Sequence, residues 1–177
     1  IFDRLSGCDS RLCQVADVFS MDKGVKMSGN KDRYKYWIYK SEPNTWSWGQ
    51  QVAKGDEGEG WDGVRNHQAS NNMKAMEVGD LGFFYHSVNE KRIVGVVEVI
   101  APYHPDHTDP TGKWGMVTLK AVSPVPNPIT LAEIKENPEL EGLSLIKQSR
   151  LSVVPVSDVH WEVMCRMCGF RDIPRKS

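Results

Sequence analysis

Residues 34–43 read Tyr-Lys-Tyr-Trp-Ile-Tyr-Lys-Ser-Glu-Pro. The run is aromatic-rich and partly β-branched, and it breaks at Ser41-Glu42-Pro43, so it reads as a strand entering a turn. Further strand patterns follow at Leu81 to His86, Arg92 to Ile100, Trp114 to Val122 and Leu151 to Val156, where Pro155 favours a sheet edge. Short helical patterns lie between them. Asn44-Thr45 is placed to cap a helix over Trp46 to Ala53, and Asn66 to Met76 carries Ala69, Met73 and Met76 at helical spacing. Pro124, Pro126 and Pro128 are expected to stop the preceding strand. Thr130-Leu131-Ala132-Glu133 is a capping box whose helix ends by Pro138. Ser157 caps a last helix, with Gly169 at its C′ position. Strands interleaved with short helices do not build a parallel doubly wound sheet. The expected class is α+β: a small, mostly antiparallel β-barrel flanked by short helices.

Outward from this core, the 177 residues suffice for one domain with a substantial interior and fall short of two. No apolar run approaches the roughly 20 residues that span a bilayer, and Asp3, Asp9 and Asp17 argue against a transit peptide. Residues 1–33 are polar and lack periodicity, which predicts a poorly ordered leader, a domain over 34–170 and a tail over 171–177. A formal net charge of −1 excludes a protein that is basic throughout. The charge is unevenly spread, with a net of +5 over residues 23–40 and −3 over residues 54–62. Cys8, Cys13, Cys165 and Cys168 lie at opposite ends of the chain. They read as reduced thiols rather than a zinc set, with no disulfide framework, so an intracellular location is expected.

The stretch Trp61-Asp62-Gly63-Val64-Arg65-Asn66 carries the chemistry. Indole, carboxylate, guanidinium and amide within six residues suit a flat polar ligand such as a nucleobase: a face to stack on, an acceptor for an amine, a cation for phosphate. Trp61 reads as a core tryptophan or a cleft wall, and Trp114 as the far wall of a pocket or a plug at the barrel end. Lys40, Ser41 and Glu42 end the first strand, where they shape a site or cap the turn. Tyr85, His86 and Ser87 mark the polar end of another strand. Adjacent strand residues face opposite ways, so His86 and Ser87 do not make a catalytic dyad. His104 and His107 flank Pro105-Asp106 in a rigid turn-rich loop and read as surface histidines rather than metal ligands. Arg150 is placed to meet phosphate or to pair with Asp62 or Glu42.

Five segments occur in one characteristic order: 37–43 (Trp-Ile-Tyr-Lys-Ser-Glu-Pro), 61–69 (Trp-Asp-Gly-Val-Arg-Asn-His-Gln-Ala), 79–87 (Gly-Asp-Leu-Gly-Phe-Phe-Tyr-His-Ser), 103–106 (Tyr-His-Pro-Asp) and 150–156 (Arg-Leu-Ser-Val-Val-Pro-Val). Over roughly residues 35–168 the chain resembles the EVE domain family, with His67 where many members have tyrosine. The resemblance implies a PUA-like fold and a nucleic-acid-binding module that reads a modified base, with modified cytosine in DNA favoured and RNA as the other ligand. It implies a base site drawn from Ser41, Glu42, Trp61, Asp62, Gly63, Val64, Asn66, Tyr85, His86, Ser87 and Trp114. Lys40, Arg65 and Arg150 would meet phosphate. No catalytic residue, metal or cofactor is assigned, and a nuclear location is expected if the source is eukaryotic, otherwise a cytoplasmic one. The alternatives are an enzyme acting on a modified base or nucleoside, for which Glu42, Asp62 and His86 would supply acid–base groups, and a protein-interaction domain.

Overall fold

The computed structural model describes residues 33–176, so the expected leader lies outside the described residues except for Arg33. In chain order the elements are β1 (Tyr36–Ser41), α1 (Trp48–Ala53), β2 (Glu59–Gly60), α2 (His67–Lys74), β3 (Leu81–His86), β4 (Arg92–Pro105), β5 (Gly115–Thr130), α3 (Leu131–Glu136), α4 (Ser144–Lys147), β6 (Val153–Val156) and α5 (Asp158–Met167). Short 3-10 turns cover Gly55–Glu57 and Pro138–Leu140. The six strands form one sheet in the order β2-β5-β4-β3-β1-β6. Four of its pairings are antiparallel, and only β1 with β3 is parallel. The mostly antiparallel α+β expectation therefore holds, and the barrel holds only in part: among the described residues the sheet does not close, its ladder ending at β2 and β6. No described helix is long and apolar enough to cross a membrane.

Side-chain alternation explains why both faces of the sheet are covered. On one face Trp161 of α5 stacks on Tyr36 of β1 (centroids 4.4 Å, planes 8° apart) and meets Phe83 of β3 at 4.2 Å. On the other, Tyr39 and Phe84 take Trp61 edge-on, and Phe84 also meets Trp48. The Tyr39 hydroxyl donates to Met76 Sδ at 3.1 Å, joining that face to the segment after α2. With both faces packed, every residue of β3 is buried.

Several boundaries differ from expectation for local reasons. Ser47, not Asn44 or Thr45, caps α1; it forms a capping box with Gln50 after a turn in which the Thr45 and Trp46 amides donate to the Glu42 carbonyl. The fifth strand continues through Pro124, Pro126 and Pro128. Its pairing with β4 jumps from Ile93↔Ile129 to Gly95↔Pro124, so the prolines occupy an irregular stretch. On its other side β2 pairs only at Thr118 and Leu119, leaving that flank without a ladder for proline to interrupt. The capping box at Thr130 and Glu133, the Ser157 cap and the edge position of Pro155 follow the sequence pattern, whereas Asn66, expected as the first helical residue, caps α2 instead. Cys165 and Cys168 are buried free thiols, and burial pushes both up to about 12, which keeps them protonated.

Asp80 ties the two ends of the described chain together. Its fully buried carboxylate accepts from Arg33 Nη1 and Nη2 (2.6 and 2.8 Å), Trp37 Nε1 (3.2 Å), the Glu77 amide (3.1 Å) and Lys176 Nζ (2.9 Å). Burial by itself raises its pKa, and the hydrogen bonds from Arg33, Lys176, Glu77 and Trp37 more than reverse this, leaving it below the ordinary value. Arg33 thus belongs with the domain and not with the leader. Because the folded-state pKa is depressed, this stabilisation is present above the unfolded aspartate pKa of about 3.9 and is lost as pH falls through the folded value. Asp80→Asn is expected to lower stability at pH 7 by about 2–3 kcal/mol. Thermal melts of parent and variant should differ most near neutrality and converge as the pH falls below the ordinary aspartate range; a gap that persists in strong acid would contradict the ionised role.

A cleft at the end of the first strand

Where β1 ends, the chain leaves the sheet through Ser41-Glu42-Pro43 and returns as the 59–64 segment. Between them opens a cleft of about 490 Å³, lined by Lys40, Ser41, Glu42, Thr45, Trp46, Glu59, Gly60, Trp61, Asp62, Gly63, Val64 and Ser152. One wall is the β1 exit. The Ser41 hydroxyl donates to the Trp46 carbonyl at 2.8 Å, closing the turn, and Trp46 Nε1 donates to Gln51 Oε1 at 2.9 Å. The buried Gln51 in turn donates to the Leu119 carbonyl on β5 at 2.8 Å, so the partly buried Trp46 indole is fixed against the sheet.

The opposite wall is residues 60–64. The Trp61 amide donates to the Val117 carbonyl at 2.8 Å, and its indole packs edge-on against Tyr39 and Phe84, leaving 8% of the residue exposed. Trp61 is therefore both core and cleft wall, which joins the two readings its position allowed. Val64 is also buried, whereas Asp62 is exposed, with His107 Nε2 at 3.9 Å from its carboxylate. Gly63 has φ +69°, the left-handed region that glycine enters without strain.

Asp106 holds this wall in place. Its buried carboxylate accepts from the Gly63 amide (3.0 Å), Arg65 Nη1 (2.7 Å), and the Thr108 amide and hydroxyl (both 2.7 Å). Burial opposes ionisation, but the Thr108, Arg65 and Gly63 hydrogen bonds outweigh it and keep the carboxyl well below the usual carboxylate range. Arg65 also donates to Thr108 Oγ1 at 3.0 Å.

The structure brings Lys40, Ser41, Glu42, Trp61, Asp62, Gly63 and Val64 to one cleft and sets the other expected residues elsewhere. Arg65 reaches back to Asp106. The Lys40 ammonium donates to the Ser149 carbonyl, and burial lowers its pKa. Asn66 caps α2 through the Ala69 amide at 3.0 Å. Tyr85 is buried in the core, which pushes its hydroxyl up to about 12. His86 is turned inward: its Nε2 accepts from the Trp48 amide at 3.0 Å and its Nδ1 meets Glu90 at 2.9 Å, so it supports α1. Ser87 donates its amide to the Ser41 carbonyl at 2.8 Å. Trp114 lines a different groove, and Arg150 is exposed on the segment beside Ser152. Thr45, Trp46, Glu59, Gly60 and Ser152 were not legible as site residues. Thr45 and Trp46 come with the turn after β1, where Trp46 beside a predicted strand end was a usable signal, whereas Glu59, Gly60 and Ser152 reach the cleft only through the return of the chain at β2 and β6. No group of three or more described His, Cys, Asp or Glu residues is arranged to hold a metal ion.

The same architecture occurs in solved structures. Protein Atu2648 from Agrobacterium tumefaciens superposes with a TM-score of 0.77 at 50% identity, covering 80% of this chain and 98% of that one. The crystal structure of human THYN1 protein in complex with 5-methylcytosine containing DNA matches with a TM-score of 0.71 at 28% identity, covering 77% and 99%. Thymocyte nuclear protein 1 of Gallus gallus is 32% identical over 165 residues, 75% of this chain and 68% of that protein. Residues 35–167 match the model of the EVE domain, and the chain belongs to that family.

Proposed function

We propose that the cleft at the end of β1 holds a single modified nucleobase, with 5-methylcytosine in DNA the favoured ligand. The observation that carries this reading is the lining itself: two tryptophans, Trp46 and Trp61, and three carboxylates, Glu42, Glu59 and Asp62, around a space large enough for one nucleoside. The related human protein solved with 5-methylcytosine containing DNA supports the choice of ligand. In a duplex the base must leave the stack at a cost of a few kcal/mol, which stacking and edge contacts offset. Trp46 is the partly exposed stacking face, and Trp61 closes the inner end. Glu42 and Asp62, both exposed, are the acceptors for the cytosine N4 amine. Val64 is the apolar surface for the 5-methyl group. Arg150, exposed on the segment leading to Ser152 of the lining, is a cation left to meet a phosphate, since Lys40 and Arg65 already hold the walls.

Two variant classes separate recognition from folding. Trp61→Ala empties a core position and should destabilise the protein by about 3–5 kcal/mol, read as a lower melting temperature. Glu42→Gln and Asp62→Asn alter exposed groups and should leave melting unchanged. Each should weaken binding of a 5-methylcytosine duplex by about 1–3 kcal/mol, because one acceptor oxygen becomes a donor. Fluorescence-anisotropy titration of matched duplexes differing by one methyl group is the test. The parent should prefer the methylated duplex by about tenfold, and equal affinity for both duplexes would overturn the reading.

A further inference from the structure

A second groove lies beyond the Asp106 loop, lined by Lys74, Tyr103, His104, Lys113 and Trp114 among others. The Asp106 amide donates to the Trp114 carbonyl at 3.1 Å, so one short loop joins this groove to the 61–66 wall of the base cleft. The groove is built in advance. Tyr103 Oη is 3.0 Å from Ser70 Oγ, and the ring lies so close to Gly115 that a Cβ there would come within 2.5 Å of it. Trp114 is partly exposed and is backed by His67 at 4.9 Å between ring centroids. Its amide donates to Asp109 Oδ2 at 2.7 Å. Above these rings stand two exposed ammonium groups: Lys74 Nζ is 5.3 Å from the Tyr103 centroid and Lys113 Nζ is 5.1 Å from the Trp114 centroid. Neither lysine has a carboxylate partner among the ion pairs of the described residues.

We propose that this groove holds the sugar–phosphate strand flanking the base in the cleft, with phosphate at Lys74 and Lys113 and a neighbouring base against Trp114. The proposal rests on the base-reading function of the cleft. Charge distribution argues for it. Glu42 and Asp62 in the cleft lining repel phosphate, Glu59 being paired with Lys54, while Lys40 is engaged by the Ser149 carbonyl and Arg65 by Asp106 and Thr108. A strand that places one base in an acidic cleft needs its anionic backbone held nearby by cations outside that cleft. Aromatic faces interleaved with lysines provide this without reading sequence.

The test uses the full chain and three probes: a labelled duplex with one 5-methylcytosine, the same duplex with cytosine, and free 5-methyl-2′-deoxycytidine. The variants are Lys74→Gln/Lys113→Gln and, separately, Trp114→Ala. The lysine variant should weaken both duplexes alike, on the order of tenfold at low salt. It should flatten the dependence of log Kd on log salt by about one to two. The methylated-to-plain ratio and the chemical-shift response to the free nucleoside should not change. Trp114→Ala should weaken both duplexes about fivefold or more if its melting temperature is retained; the lysine variant tests the groove whatever happens to the tryptophan. An unchanged affinity and salt slope in the lysine variant, with the methyl preference intact, overturns the groove and leaves the cleft reading standing. A flattened slope in a protein that shows no methyl preference supports the groove as a phosphate site but overturns the base-reading cleft on which its flanking role rests. A parent chain that binds neither duplex overturns both.

Discussion

The buried carboxylate of Asp106 is the interaction on which the candidate site depends. It lies in the loop between β4 and β5 but binds the backbone of Gly63 and the side chain of Arg65, far away in sequence. Without it, the loop between the buried Trp61 and the Asn66 cap of α2 would keep only the packing of Val64 to hold it. With it, the loop is a rigid wall opposite the β1 exit, and Asp62 is left exposed at the rim. A carboxylate surrounded by four donors is costly to leave unpaired, so the two loops are held as one unit. The same loop orients Trp114 through its backbone, so the wall of the cleft and the neighbouring groove share one support.

The parallel pairing of β1 with β3 has a comparable effect on the other wall. It sets Ser41 beside His86 in register, so both strands end at the same side of the sheet. His86 then receives the first amide of α1 and fixes the turn carrying Trp46. A residue that resembles an acid–base catalyst in the sequence is here a backbone acceptor supporting the cleft from behind. The buried tyrosine next to it, Tyr85, belongs to the core in the same way.

Elements with strong local signals were legible in the sequence. The capping box at Thr130, the Ser157 cap, the apolar run of β3 and the turn after Ser41 are dictated by nearby residues. Features set by distant partners were not. The continuation of β5 through three prolines depends on which flank lacks a neighbour, and the open sheet depends on pairing across the whole domain. Residues 61–64 of the motif line the cleft, but its arginine serves Asp106, a partner about forty residues away that spacing cannot reveal. Trp114 lines a different groove from Trp61, and a sequence does not show that the 105–114 loop separates the two.

In the proposed site a modified cytosine enters between Trp46 and Trp61. The six tryptophan indole N–H signals of this chain provide a direct reading by NMR. Trp37 and Trp161 donate their indole N–H groups to Asp80 and to the Pro174 carbonyl, away from the cleft, and serve as internal controls. Titration with a 5-methylcytosine duplex should shift the Trp46 and Trp61 signals and leave Trp37 and Trp161 in place, while the matched unmethylated duplex shifts the cleft signals far less. Equal shifts with both duplexes, or none at Trp46 and Trp61 under saturating methylated DNA, would contradict the account.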